Sequence, residues 1–395
     1  MPAMTEHERI ADSLLAEAEA NGGLAPVDLE RFWADDAKAK ADPFATDCPQ
    51  VPLGVMMSGE AVWDELGIAE NWHRYHHDPP YRVELNQAYN DKAEPIVGRR
   101  LLPETAPQPD RQYPPVKSLA DIFEARQQWH SWSYWIVEAA HTESELEALL
   151  DRVERRLEDL RSFMLPDNWD ARKQRLQALG VDPPLYRSQR GPVTFATSVY
   201  GAENLLFLIM DNPDLAGRFR DVILRAMLER ARILDAEAGV SGEAARSWFA
   251  FADDNCALLT PDMYEMFGYP ILKAVFDRYA PGPEHTRHQH SDSAMEHLLP
   301  ILGRLKLTRV NFGPTVMVED IRPHLPTAVI DGCLAPFTLS RDARRDIVLE
   351  FLRDCDQARA HGRGLVFATA GSINNGSRLA AMRLIMAAIQ KHGRY

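Results

Sequence analysis

Two histidines one residue apart, His288 and His290, carry the sharpest chemistry in this chain. They stand near the end of HTRHQHSD, a short run that reads as the close of a strand. On a strand, residues i and i+2 project to the same side, so both imidazoles face one space. That arrangement suits a divalent metal, zinc above all. It suits equally well a pair of hydrogen-bond donors or the binding of an anionic substrate. Asp253 and Asp254 come next, at the end of SWFAFADDN. Adjacent acids at a strand end point to opposite sides, so only one of them can face the reacting groups. The other would cap a turn or pair with an arginine. Asp254 and Asp292 are the candidates for acid/base work or for orienting a ligand. Cys333, just after the strand-like TAVIDG, is the candidate third metal ligand; the alternative is a buried, inert cysteine. Tyr200, Asp253, Asn311, Ser372 and Asn375 complete the set as candidate substrate contacts.

These residues share a position: each closes a short apolar run. From Gly191 onward such runs alternate with amphipathic stretches. PVTFATSVYG, SWFAFADDN, HTRHQHSD, LTRVNFG, TAVIDG and GLVFATAGS read as strands. Helices are expected over 205–210 and 215–238, then 261–279, 294–305, 318–325, 340–361 and 378–391. Alternation of this kind means a parallel sheet. Six consecutive units, with earlier strand candidates near 50–58 and 134–140, predict a closed (β/α)8 TIM barrel of the α/β class. Its catalytic groups would ring the mouth at the C-terminal strand ends. An open doubly wound sheet is the competitor, but no GxGxxG turn follows a strand. Residues 1–48 read as an N-terminal helical extension packed outside a barrel spanning 49–395. The aromatic, proline-rich stretch from Glu60 to Pro115, with His76 and His77, reads as helices and loops over one end of the barrel.

With 395 residues, 45% of them hydrophobic, the chain can bury a large core. A formal net charge of −14 argues against nucleic acid and anionic membranes as main partners. Four cysteines, Cys48, Cys256, Cys333 and Cys355, show no short spacing, so neither a disulfide framework nor a CxxC metal site is expected. The N-terminus lacks the basic start and apolar stretch of a signal peptide, and no apolar run approaches the length of a membrane span. A cytoplasmic enzyme is the expectation.

Six stretches also carry a family resemblance by their order and spacing. They are GPVTFATSVYGAENLLFLIMDNPDLA, ADDNCALLTPDMYEMFGYPILKAVFDRY, RHQHSDSAMEHLLPIL, VNFGPTVMVEDIRPHLP, AVIDGCLAPFTLS and GLVFATAGSINNGSRLAAMRLIMAAIQKHGRY. Together they resemble the uroporphyrinogen decarboxylase superfamily, well over 190–395 and weakly over 50–115. The resemblance implies the same barrel and a homodimer. The decarboxylase branch uses no metal and holds its tetrapyrrole with an arginine-rich motif of the RQAGR kind. The matching stretch here reads VPLGVMMSGEAVWDELG, with Met56, Met57 and Ser58 in place of cations, so uroporphyrinogen is not an expected substrate. The other branch comprises zinc-dependent methyl- and alkyltransferases that move a group to or from a thiol, a corrinoid or a folate. Its zinc motif is His-x-Cys with a distant cysteine. Here His288 matches the histidine, His290 replaces the first cysteine and Ser372 stands at or near the second. The expectation is therefore a metal-dependent methyl- or alkyltransferase, as a demethylase component or otherwise, with a small substrate. Its acceptor would be a corrinoid protein, a thiol or a folate. The alternatives are a metal-free decarboxylase or lyase and a non-catalytic corrinoid- or tetrapyrrole-binding barrel.

Overall fold

The computed structural model describes residues 4–394, which group into two compact units. One unit comprises Pro107–Ser291 and His297–Thr308; the other comprises the residues through Ala106, Asp292–Glu296, and Arg309 onward.

The first unit begins with a hairpin, β1 (Arg126–His130) against β2 (Ser133–Val137). Ser131 takes the left-handed conformation, φ 55°, in its two-residue turn. Trp132, Tyr134 and Trp135 are exposed on it. The stretch near 134–140, expected as a barrel strand, is thus half of an antiparallel hairpin. Its aromatic residues have strand propensity, which says nothing about the choice of partner.

A parallel ladder follows: β3 (Ser188–Arg190), β4 (Trp248–Ala252) and β5 (Thr286–Ser291). Helices Pro213–Glu237 and Pro261–Tyr279 intervene. The second helix starts as its sequence dictates. Thr260 caps it by accepting the Met263 N–H, and Pro261 occupies a first-turn position whose N–H would have no partner. Phe249 and Phe251 are buried, and the Phe251 ring stands edge-on to Phe276 at 5.5 Å. Arg187 also points to this helical side, where it pairs with Asp235 at 2.7 Å. Ala250 and Ala252 must therefore face the other way, and the register sets Ser188 and His288 beside Ala250, Arg190 and His290 beside Ala252.

The run Pro192–Tyr200, expected as a strand, is an α-helix. Every residue of it except Ser198 is buried. A helix buried on all sides has no polar face, and its sequence cannot be told from a buried strand by period. The strand of this unit is instead the polar tripeptide just upstream, Ser188–Arg190.

In the second unit, residues 51–57 run extended, with Leu53 bridging in parallel to Phe367. Then come β6 (Arg309–Phe312), β7 (Val329–Leu334) and β8 (Leu365–Thr369), the last wholly buried. Helices Arg344–His361 and Leu379–His392 follow β7 and β8. The N-terminal stretch forms two helices, Glu6–Ala20 and Leu29–Ala41. The six parallel strands follow one another in the order β3-β4-β5-β6-β7-β8, an α/β arrangement in which spatial order equals chain order. That order is the winding of a β/α barrel.

Candidate functional site

Site geometry begins where β4 ends. The Asp253 N–H donates to the His290 carbonyl at 2.9 Å, continuing the ladder one residue past Ala252. Its carboxylate turns into the interior, where Oδ1 accepts the Thr194 N–H at 2.7 Å, in the first turn of helix Pro192–Tyr200. Asp253 is fully buried, and burial pushes its carboxyl up to about 6 against the lowering effect of the Thr194 bond. A side chain at Gly191 would collide with it: a Cβ there would lie 2.1 Å from that of Asp253. Asn255, on the far side of Asp254, is tied to the same helix. Its N–H donates to Thr194 Oγ1 at 2.9 Å, and its Nδ2 to Thr197 Oγ1 at 2.6 Å.

With both neighbours anchored, Asp254 is presented outward. It is half-buried, with Oδ1 3.6 Å from His290 Nε2. The adjacent acids have diverged, one buried and one offered, where the chain leaves the strand and Asp254 opens the 3-10 turn Asp254–Leu258. Asp292 lies two residues beyond His290 on the same run of chain. Asp254, His290 and Asp292 each offer one ligand atom, and the three atoms lie within 4.8 Å of one another. Asp292 is exposed, and two glycines make room for its segment. A Cβ on Gly371 would lie 3.1 Å from the Asp292 Cβ, at a φ of +108° that disfavours any side chain. A Cβ on Gly313 would lie 2.6 Å from the Asp292 carbonyl oxygen.

The remaining expected site residues are placed as follows. His288 is half-buried on β5, on the same face as His290, but it is not part of the converging group. Neither is Cys333. It is buried on β7, with its Sγ–H against the Val316 carbonyl at 3.5 Å, and burial raises its thiol well above the usual range. Tyr200 is buried at the end of a helix rather than of a strand, its ring edge-on to Phe219. Asn311 bridges strands, its Nδ2 donating to the carbonyls of Asp331 at 2.6 Å and Thr369 at 3.0 Å. Asn375 accepts the Asp64 N–H and donates to Glu70. Ser372 is exposed in the turn after β8. Three residues that matter to the geometry were given no role from the sequence: Gly313, Gly371 and Arg190. Only the last had a legible signal, a cation directly before Gly-Pro.

A model of the family described as uroporphyrinogen decarboxylase (URO-D) matches residues 143–392, more than half of the chain. The chain belongs to the uroporphyrinogen decarboxylase family. That match covers all six parallel strands and explains their barrel order. Among solved structures, a methyltransferase from Methanosarcina mazei is similar with a TM-score of 0.54 and 16% identity, over 90% of this chain and 97% of that one. At that identity the likeness concerns the fold alone. No curated protein matches. The family takes its description from an enzyme, a decarboxylase. No single helix among the described residues is long and apolar enough to cross a membrane. Pro192–Tyr200 and Ala202–Asp211 reach that length only together, bent by 104°.

Proposed function

We propose that this protein is a metal-dependent methyl- or alkyltransferase whose divalent metal is held by Asp254, His290 and Asp292. The observation that carries the reading is the convergence of three ligand atoms within 4.8 Å at the end of β5. The donor set fits a divalent ion: one imidazole and two carboxylates are common zinc ligands, and three protein ligands are what a catalytic site supplies when it leaves a position for substrate. Without thiolates, the ion would be a harder Lewis acid, suited to polarising an oxygen of the substrate. Residues of the chain do the positioning. The His290 carbonyl is fixed by the Asp253 N–H, and Asp254 is held between two anchored neighbours. Ala250 and Ala252, which stand beside His288 and His290 in the register, put only methyl groups on the face that the histidines share. Zinc is the proposed ion. The proposed acceptor is a corrinoid, a folate or a thiol, and a homodimer in the cytoplasm is the proposed setting. Nothing cationic stands at Met56, Met57 or Ser58 to neutralise a polyanionic tetrapyrrole; Met56 is exposed and Ser58 bonds to Glu60.

The test is metal content. Protein purified without chelators is expected to hold one equivalent of divalent metal. Asp254→Asn, His290→Ala and Asp292→Asn should each weaken zinc binding by more than about tenfold, since each removes one of three ligands. His288→Ala should bind zinc like the parent. A parent that neither contains nor takes up zinc or manganese would overturn the reading. The second reading is then favoured by a specific pair: the Asp254 carboxylate 3.6 Å from His290 would orient an imidazole that carries a proton in a metal-free lyase.

A further inference from the structure

Three strands of the first unit present a common face opposite the helices, and its rows are set by register. One row is Ser188–Ala250–His288, and the next, nearer the strand ends, is Arg190–Ala252–His290. We propose that Arg190 is the anchor for a carboxylate of the substrate, so that the reaction over His290 acts on a small carboxylic acid. The proposal rests on the reading of His290 and Asp254 as the reacting centre.

Geometry makes the case first. Neighbouring strands lie about 4.8 Å apart, so the Cα atoms of Arg190 and His290 are separated by about 10 Å across Ala252. An arginine side chain and an imidazole projecting from one face span much of that gap. What is left accommodates a molecule with only a few atoms between its carboxylate and its reacting atom. At the middle of the two rows stand Ala250 and Ala252, whose methyl side chains are the smallest that a chiral residue carries.

The state of the guanidinium is the second observation. Arg187, three residues earlier on the opposite face, is buried and engaged by Asp235 at 2.7 Å and by the Tyr186 and Ala245 carbonyls. Arg190 is exposed and has no hydrogen-bond or ion-pair partner among the described residues. It is thus a free cation in the row of His290, with all five donors available.

Carboxylate, rather than phosphate, follows from what surrounds it. Helix Pro192–Tyr200 starts just after Arg190, and such a start could hold a phosphate. Here Pro192 lacks an N–H, and the Thr194 N–H is taken by the Asp253 carboxylate. Asp254 and Asp292 add negative charge at the His290 end of the row, which a dianion would have to face. One planar fork matches one carboxylate, bidentately.

The experiment compares butyrate with its neutral isostere butyramide by ligand-observed NMR on the full chain. The parent is expected to bind butyrate at least about tenfold more tightly than butyramide. Arg190→Gln should erase the difference, and Arg190→Lys should retain part of it. A second readout is mass spectrometry of phenylglyoxal modification: butyrate should protect Arg190 and butyramide should not. Arg190→Gln should match the parent in melting temperature and in zinc content, which separates this test from that of the metal. Loss of zinc binding in the parent would sink the metal reading and leave the butyrate result standing. Equal binding of butyrate and butyramide by the parent, or butyrate binding unchanged in Arg190→Gln, would overturn the assignment of Arg190.

Discussion

Asp253 and Asp254 show how far residue types alone can lead. Alternation on a strand would make them diverge; they do diverge, one carboxylate fully buried and the other half-buried beside His290, but past the strand end, where Asp254 opens a 3-10 turn. Alternation also puts His288 and His290 on one face, as observed. What alternation cannot supply is the partner. His290 meets Asp254 from the neighbouring strand end and Asp292 from its own run, and which residue stands opposite is a matter of register. Cys333 illustrates the same gap, since its burial depends on what covers β7. The divergence of the aspartates has a consequence in solution. Asp253 is protonated more readily in the folded chain, about 6 against an ordinary 3.8, because burial penalises its charge. Between those values the folded state binds more protons than the unfolded state, so stability falls as pH rises through that window. The loss is about 2–3 kcal/mol, complete above about pH 7. Asp253→Asn, which has no proton to lose, should flatten the curve between pH 4 and pH 7. Urea denaturation across that range, with chelator present so that neighbouring carboxylates hold no metal, checks it. A variant with the parent's pH slope would show that Asp253 is not the group responsible.

At the scale of elements, the helix Pro261–Tyr279 was legible to the residue, because a threonine cap, a first-turn proline and an apolar stripe all agree. The run Pro192–Tyr200 was not. It carries no polar face, and β-branched residues such as Val193, Thr194 and Val199 favour a strand locally. Tertiary burial overrides that preference, and the Asp253 carboxylate supplies the missing N-terminal cap from elsewhere in the chain. The junction between β3 and this helix therefore has to be glycine. With a Cβ 2.1 Å from that of Asp253, Gly191→Ala cannot be accommodated without moving either the strand end or the capping carboxylate. A loss of about 2–3 kcal/mol is expected in chemical denaturation, the sum of overpacking and a weakened cap. Gly217→Ala is the control, since the nearest atom to its Cβ would be 3.9 Å away, on the Arg220 guanidinium, an ordinary van der Waals contact. Equal stabilities for the two variants would mean that the β4 end does not depend on close approach at Gly191.

Over the whole molecule, the alternating pattern from β4 to the C-terminus gives the barrel order, and the family match accounts for it independently. The N-terminal residues are the part for which the pattern has no template. A β/α barrel does not require them, which is the ground for reading 1–48 as an extension. Their burial argues that the second unit depends on them all the same. Ala11, Leu14, Ala18, Phe32 and Ala39 are each at most 3% exposed. Helix Glu6–Ala20 packs along Arg344–His361 and Leu379–His392, with Asp12 paired to Arg345 at 2.8 Å and Glu17 to Lys391. The surface pairs contribute little. The buried groups contribute more. Asp36, 1% exposed, accepts the Leu53 N–H at 2.8 Å, on the extended segment that runs beside β8. Removing it strands a buried donor, at about 1–3 kcal/mol. Uncovering the surface under Leu14 and Phe32 costs about 1.5–3 kcal/mol for each side chain. Against a typical total stability of about 5–15 kcal/mol, those losses are ruinous. A chain beginning at residue 49 should therefore aggregate on expression or melt at least about 10 °C below the parent. Asp36→Ala in the full chain should show the smaller share, about 1–3 kcal/mol. A soluble truncated chain with the parent's melting temperature would make residues 1–48 an appendage. A destabilised one would make them part of the core that holds β8 in place.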